Sequence, residues 1–329
     1  MTKKAWALFA AMSVVWGMSY LFIKIAVEEV SAPVVVVTRT AIAAAVLVPL
    51  ALHRRAFGTL RGRVRIVFLL ALTHVAGPFL LITYGEVHIS SSLTALLIAA
   101  QPIMIAIIAL KADASERVTG LRAVGLAVGL GGVGTLVGFD LTGDRLGLLG
   151  AGMVLLATLG YAGATLIVKR HLSDVPPVAL AASTMSITTI VLMPLAVATA
   201  PASLPSAEVA GSLAALGLIC TALAFLAFYA LIAEAGAGRA ALITYLNPVV
   251  AVLLGVLILD EKLSASIAGG TALILAGSWL ATRPRKAVRV DVLLPSDPGP
   301  GSIPAAEQVD SRRPLATSGT SGTSGTSGA

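Results

Sequence analysis

Four ionisable residues lie inside stretches that are otherwise apolar: Lys24, Arg39, His74 and Glu86. An arginine near mid-bilayer costs about 2.5–3.5 kcal/mol, so residues of this kind mark substrate or ion pathways, or are paired. Arg39 and Glu86 are therefore expected to pair, or to face one cavity together. His74 could sense or relay protons, because imidazole titrates near neutral pH; the alternative is a hydrogen-bonded structural histidine. Ser13, Gly17, Tyr20 and Lys24 recur at spacings of four, three and four, which stacks them on one helix face beside Trp16. That face suits the lining of a polar cavity. The same small residues would also permit close helix packing, and Lys24 could snorkel to the membrane surface.

The elements that position these residues occur twice. An offset of 145 carries Lys24 to Lys169, Pro49 to Pro194, Tyr84 to Tyr229, Glu116 to Glu261, Gly125 to Gly270 and Gly132 to Gly277. It also carries the polar face of the first segment to Thr158, Ala162, Thr165 and Lys169, flanked by Tyr161. Gln101-Pro102 and Asn247-Pro248 each set an amide beside a proline that removes a backbone donor. Irregular backbone of that kind is tolerated in a membrane only where protein or water covers it, so Pro102 and Pro248 are candidate hinges. Tyr84, Tyr229 and Tyr245 are candidate cavity neighbours, with ordinary packing as the alternative. Glu116 and Glu261 each precede a segment rich in glycine and suit a helix start, where a carboxylate complements the free amides. The glycines themselves suit close packing between halves or between subunits, the latter as a homodimer.

Composition supplies the solvent. Hydrophobic residues make up 57% of the 329 and charged ones 12%, with a mean hydropathy of +0.95; a soluble domain has about 45–50% and about 25%. The expected class is an all-α polytopic membrane protein. At about 20 residues per crossing, ten candidate helices fall near 5–26, 33–52, 65–87, 92–110 and 118–138, then 146–169, 178–200, 208–233, 240–259 and 265–282. The ten transmembrane helices form two five-helix repeats, 1–140 and 141–286. With five crossings in each, the second must be inverted relative to the first. Residues 287–329, ending in a Ser-Gly-Thr repeat, have the composition of a disordered tail.

Lysine and arginine set the orientation. With the N-terminus inside, the inner loops and helix ends hold Lys3, Lys4, Arg54, Arg55, Arg61, Arg63, Lys169, Arg170 and Arg283, among others. The outer side holds Lys24, Arg145 and Lys262. Both termini are therefore expected in the cytoplasm. The net charge of +7 follows from this topology and does not suggest nucleic acid. A single cysteine, Cys220, excludes an internal disulfide framework and a Cys-based zinc cluster. No HExxH pair, Gly-x-Ser-x-Gly elbow or Walker loop is present, so neither an enzyme nor a nucleotide-driven pump is expected, and no cofactor.

Several of these residues together resemble the EamA family of the drug/metabolite transporter superfamily, over about residues 5–282. They are Trp16-Gly17, Lys24, Arg39, Gly85-Glu86 leading into Ser90-Ser91-Ser92, Pro102 and Glu116-Arg117 in the first half. In the second they are Tyr161, Lys169, Tyr229, Asn247-Pro248 and Asp260-Glu261-Lys262. The resemblance implies a ten-helix carrier with a cavity enclosed by both halves, in a family whose members commonly export amino acids or other small metabolites. The chain departs from two-fold symmetry where it is charged: Arg39, His74 and Glu86 correspond to Thr184, Ile219 and Leu231.

The expected function is a secondary transporter that moves a small metabolite, an amino acid being one candidate, out across the plasma membrane by alternating access. Lys24, Arg39 and Glu86 would meet charged groups, and Trp16, Tyr20, Tyr84, Tyr161 and Tyr229 a less polar body. His74, Gln101, Thr165, Tyr245 and Asn247 complete the expected lining. Partners are the bilayer, the solute and, as a candidate driving ion, the proton. The alternative on the same scaffold is a small-drug exporter or lipid flippase.

Overall fold

The computed structural model describes residues 2–112, 121–141, 143–240 and 242–281. The Glu116 motif and the tail from 287 lie outside the described residues. All regular structure among the described residues is helical. Seven helical rods are long and apolar enough to cross a membrane: Lys3–Ala26, Ala32–His53, Val64–His88, Ser91–Ile108, Arg145–His171, Pro177–Ala198 and Ala207–Ala235. Three shorter apolar helices, Ala123–Gly138, Ile243–Ile258 and Ala265–Ala281, stand where the fifth, ninth and tenth segments are expected. They are called the first to tenth helices below, in chain order.

Hydrocarbon offers no partner for a free amide, so helix ends must be closed from within. Thr2, Ser90, Ser206 and Ser264 each accept from an amide three residues on, and Asp144 Oδ1 accepts from Leu146 N and Gly147 N. Pro33 and Pro177 open the second and seventh helices, at positions where the missing N–H would be unpaired anyway. The outer surface of the bundle is apolar: Ile190, Val197 and Leu257 are 71%, 69% and 74% exposed. In water such a surface would aggregate; here it is the face that lipid wets.

Two rods expected to be regular carry a wide turn. Leu72–Ala76 in the third helix and Leu218–Leu223 in the eighth are π-helical, at nearly the same place in each half. In the third helix the cause is legible: Pro78 cannot donate to the carbonyl of His74, and Gly77 N instead bonds Leu72 O, five residues back.

The halves interlock. The first helix packs on the eighth and ninth, and the sixth on the third and fourth, so each half lends its first helix to the other. The second and seventh helices, mates under the 145 offset, run antiparallel. Thr40 Oγ1 meets Thr189 Oγ1 and Ser31 Oγ meets Thr199 Oγ1, each at 2.8 Å. The fifth and tenth helices also pack antiparallel through their glycines: a Cβ at Gly132 would stand 2.8 Å from Ile274 N, and one at Gly270 2.6 Å from Leu136 Cγ. Loops tie the halves at both ends. Glu29 accepts from Ser206 N at 2.7 Å, which holds its carboxyl below the usual range. Arg63 donates to Asp174 at 2.6 Å, which lowers the Asp174 carboxyl and raises the guanidinium.

Candidate functional site

Arg39 lies on the second helix and is 8% exposed. Its Nε donates to Thr221 Oγ1 at 2.7 Å, and its guanidinium carbon sits 4.1 Å from the centre of the Phe79 ring. A hydrogen bond to a charged group contributes about 1.5–3 kcal/mol, and a desolvated cation–π contact about 2 kcal/mol. Their sum offsets the roughly 2.5–3.5 kcal/mol of placing an arginine in the bilayer. No ion pair joins Arg39 to Glu86; the ion pairs found among the described residues are Lys4–Glu234 and Arg63–Asp174. The expected pairing is thus replaced by a hydroxyl and a ring.

The wide turn of the eighth helix presents that hydroxyl. Threonines elsewhere in the bundle bond the carbonyl four residues back, as Thr40, Thr83 and Thr158 do. Thr221 reaches five back, to Leu216 O at 2.7 Å, and keeps a lone pair for Arg39. The matching turn of the third helix carries His74, edge-on to Tyr161 with ring centres 5.7 Å apart. Arg39, Tyr20, Tyr161 and Glu86 are close enough to interact electrostatically. Four residues singled out in the sequence are thereby brought together from the second, first, sixth and third helices. Beside them stands an aromatic wall: Trp16 lies 4.9 Å from Phe228 and 6.5 Å from Phe225, and Tyr229 lies 5.9 Å from Phe225.

Lys24 has another task than the expected contact with solute. Its Nζ donates to Glu86 O at 2.6 Å and Ile89 O at 3.0 Å, closing the C-terminal end of the third helix. Final carbonyls lack intrahelical donors, and a cation there also opposes the negative end of the dipole. The Glu86 side chain is 0% exposed, and among the described residues neither carboxyl oxygen has a hydrogen-bond partner.

Glu261 corrects a second expectation. It does not start its own helix, which Ser264 caps. It reaches into the other half and caps the fourth helix: Oε1 accepts from Ser91 N at 2.7 Å and Ser91 Oγ at 2.8 Å. Oε2 accepts from Ser92 N at 3.1 Å and from Ser92 Oγ in a short bond. Gly255 makes room, since a Cβ there would meet both Glu261 Oε2 and Ser92 Oγ. A cavity of about 290 Å³ opens beside this closure, lined by His88, Ile89, Ser90, Leu93, Lys262 and Ser264 among others.

The remaining expected residues divide. Ser13 and Gly17 pack rather than line a cavity: Ser13 is buried and bonds Phe9 O, and a Cβ at Gly17 would strike Val250. With its amide nitrogen turned to the carbonyls, Asn247 donates to Ser13 O at 3.2 Å and Ile243 O at 3.3 Å, tying the ninth helix to the first. Tyr84 is 38% exposed; two residues from Glu86 along the helix, it points to the opposite side. Thr165 is exposed and bonds back to Tyr161 O. Gln101 and Tyr245 are half-buried. Pro102 sits at a true break, where Ser91–Ile98 ends and Gln101–Ala112 begins. The freed backbone there is served from outside the segment, Ser278 Oγ donating to Ala99 O at 3.3 Å. Pro248, by contrast, lies inside the continuous helix Ile243–Ile258.

Thr221, Phe79, Ser91 and Ser92 carry much of this arrangement but were not readable as site residues. Thr221 has an apolar mate, Ala76, under the offset, so the repeat gives no hint of it. Ser90-Ser91-Ser92 before an apolar run does read as a helix start, but its distant carboxylate does not show in local spacing.

Comparison with known proteins fits this architecture. The model for the EamA-like transporter family matches residues 3–138 and again 148–283, a separation equal to the offset read from the sequence. An uncharacterized transporter of Archaeoglobus fulgidus is 27% identical over 287 residues, 86% of this chain and 100% of the relative. The uncharacterized transporter YoaV of Bacillus subtilis is 23% identical over 278 residues, covering 83% and 94%. A crystal structure superposes with a TM-score of 0.62 at 19% identity, over 86% of this chain and 98% of the other, which is a likeness of fold.

Proposed function

Because the chain belongs to the EamA-like transporter family, and so is a multi-pass membrane transporter, we propose that it is a secondary carrier working by alternating access. The carried solute is a small metabolite with an anionic group, an amino acid being the simplest case, and net movement is export across the plasma membrane. The observation that carries this reading is Arg39. A buried guanidinium that, among the described residues, is held through Nε and the face of Phe79 keeps both terminal nitrogens for a carboxylate. Tyr20, Tyr161 and Glu86 stand around it to meet the rest of a polar solute.

The topology proposed is ten crossings, with inverted five-helix repeats at 1–140 and 141–286 and both termini in the cytoplasm. Contacts between helix ends support it. Ten alternating crossings put Glu29 and Ser206 on one side, Glu261 and Ser91 on that same side, and Arg63 and Asp174 on the other. Each bonded pair thus falls on a common side. The charge bias makes the Glu261 side the outer one. In this conformation Lys24 and Glu261 close the outer end below the Arg39 cluster. The homodimer remains a proposal on the glycines, although Gly125, Gly129, Gly132, Gly270 and Gly277 already serve the contact within one chain.

The aromatic wall of Trp16, Phe225, Phe228 and Tyr229 favours a second reading, export of an amphipathic drug or flipping of a lipid. A thermal-shift screen of the purified protein separates them. Stabilisation by amino acids or other small anions, lost in Arg39→Met, supports the first reading. Stabilisation by cationic drugs alone, unchanged in Arg39→Met, would replace it with the second.

A further inference from the structure

We propose that Glu86 is the residue at which this carrier takes up and releases a proton, and that Lys24 is a built-in competitor for the vacated carboxylate. This deepens the carrier reading and rests on it for the link to flux. The Glu86 carboxyl is fully buried and, among the described residues, neither oxygen has a hydrogen-bond partner. A carboxyl group so placed must carry its own proton or face a cation. The cation beside it, Lys24, directs its ammonium instead to the main-chain carbonyls of Glu86 itself and of Ile89. The arrangement is that of a neutral acid.

The groups facing Glu86 can be named element by element. The first helix presents Lys24 and Tyr20 and the second Arg39, behind which stands Tyr161 of the sixth. Glu261, seated on Ser91 and Ser92 at the start of the fourth helix, is the acidic group near Glu86. The third helix itself bears His74, Tyr84 and His88.

An ammonium has three N–H donors, and Lys24 uses two of them on carbonyls. Its flexible end already rests on the residue whose side chain is unpaired. When the proton leaves Glu86 for water, no other covalent bond breaks; the new charge draws Lys24 from the carbonyls, whose hydrogen bonds it gives up, to the carboxylate. The end of the third helix then loses its cap. Glu261, which shares the neighbourhood, repels the new charge for as long as its loop is seated on Ser91 and Ser92. Proton release therefore favours loosening of the outer closure, and reprotonation restores it.

Infrared spectroscopy of the full-length protein in lipid vesicles, titrated over pH, tests this without a known solute. The expected result is a carboxylic-acid carbonyl band that shifts in heavy water and fades as pH rises. The band is lost in Glu86→Gln, kept in Glu261→Gln and persists to higher pH in Lys24→Met. If Glu86→Gln does not fold, Glu86→Asp serves, because it displaces the band rather than removing it. A band unaffected by both substitutions, or no such band in the unmodified protein, overturns the proposal. Solute flux indifferent to pH and to Glu86→Gln also overturns the coupling but leaves the carrier intact. A band assigned to Glu86 in folded protein that moves no solute sinks the carrier reading alone.

Discussion

Lys24 and Lys169 are mates under the same offset, yet one is bound and the other free. Lys24 is half-buried and holds two carbonyls at the end of the third helix. Lys169 is exposed and makes no hydrogen bond among the described residues. The positions that Lys24 serves, Glu86 and Ile89, correspond to Leu231 and Glu234, and Glu234 is instead taken by Thr2 and Lys4. A scaffold with two similar halves thus has one end closed by part-buried, charge-assisted bonds and the other held by the more exposed ion pairs Lys4–Glu234 and Arg63–Asp174. Under the alternating access proposed above, the difference between halves is a difference of state as well as of sequence. Here the sequence contributes too, because Arg39, His74 and Glu86 have no ionisable mates.

The comparison breaks most completely at the shared seam of the two halves. Gly277→Leu forces a side chain into the backbone of Gly129 and Gly125, and Gly129→Leu into the side chain of Ile103; loss of folded protein in detergent is expected, since overpacking costs about 1–3 kcal/mol or more. Gly131→Leu, on the same helix with open space around it, should leave folding unchanged by gel filtration. Next comes the lopsided charge. Arg39→Met should weaken solute binding about tenfold or more, because a charge-assisted bond contributes about 1.5–3 kcal/mol and about 1.4 kcal/mol is a factor of ten. Thr184→Met at the mate position should leave binding within about twofold, by titration of stabilisation against solute. The third step concerns the closure: Glu261→Ala strands the amides and hydroxyls of Ser91 and Ser92, at about 1–3 kcal/mol for a buried unsatisfied group. Thermal melting should show it, together with faster labelling of Ser91→Cys.

A smaller effect separates the two lysines. Lys24→Met should destabilise by about 1 kcal/mol, the scale of a cation at a helix C-terminus, and Lys169→Met by less than can be measured. The smallest belongs to the exposed Arg63–Asp174 pair. The Asp174 carboxyl is lowered by its bond to Arg63, so its contribution is present above the unfolded pKa of an aspartate and lost as pH falls through the lowered one. Asp174→Asn should therefore lower stability slightly at neutral pH and flatten the acid limb, the two proteins melting alike once pH falls below the lowered pKa.

The repeat, the helical class and the meeting of Tyr20, Arg39, Glu86 and Tyr161 were legible because periodicity and the cost of charge in lipid constrain them. What stayed hidden was set by contact across the halves. Glu261 reads locally as the start of the helix that follows it, and only tertiary packing shows that Ser91 and Ser92 are closer to its carboxylate. Lys24 reads as cavity or surface because nothing in its own helix announces the open carbonyls of the third. The prolines show the same limit: Pro102 and Pro248 share a motif, yet one stands at a break and the other inside a helix.

The central claim is that the two halves are threaded through the bilayer in opposite senses. Cys220, the sole native cysteine, is buried, so single cysteines introduced at Gly58 and Lys262, both exposed, can be labelled in intact cells with a membrane-impermeant thiol reagent. The account predicts that Lys262→Cys reacts and Gly58→Cys reacts only after the membrane is opened. Equal reaction at both positions in intact cells, or reaction at Gly58→Cys alone, would contradict it.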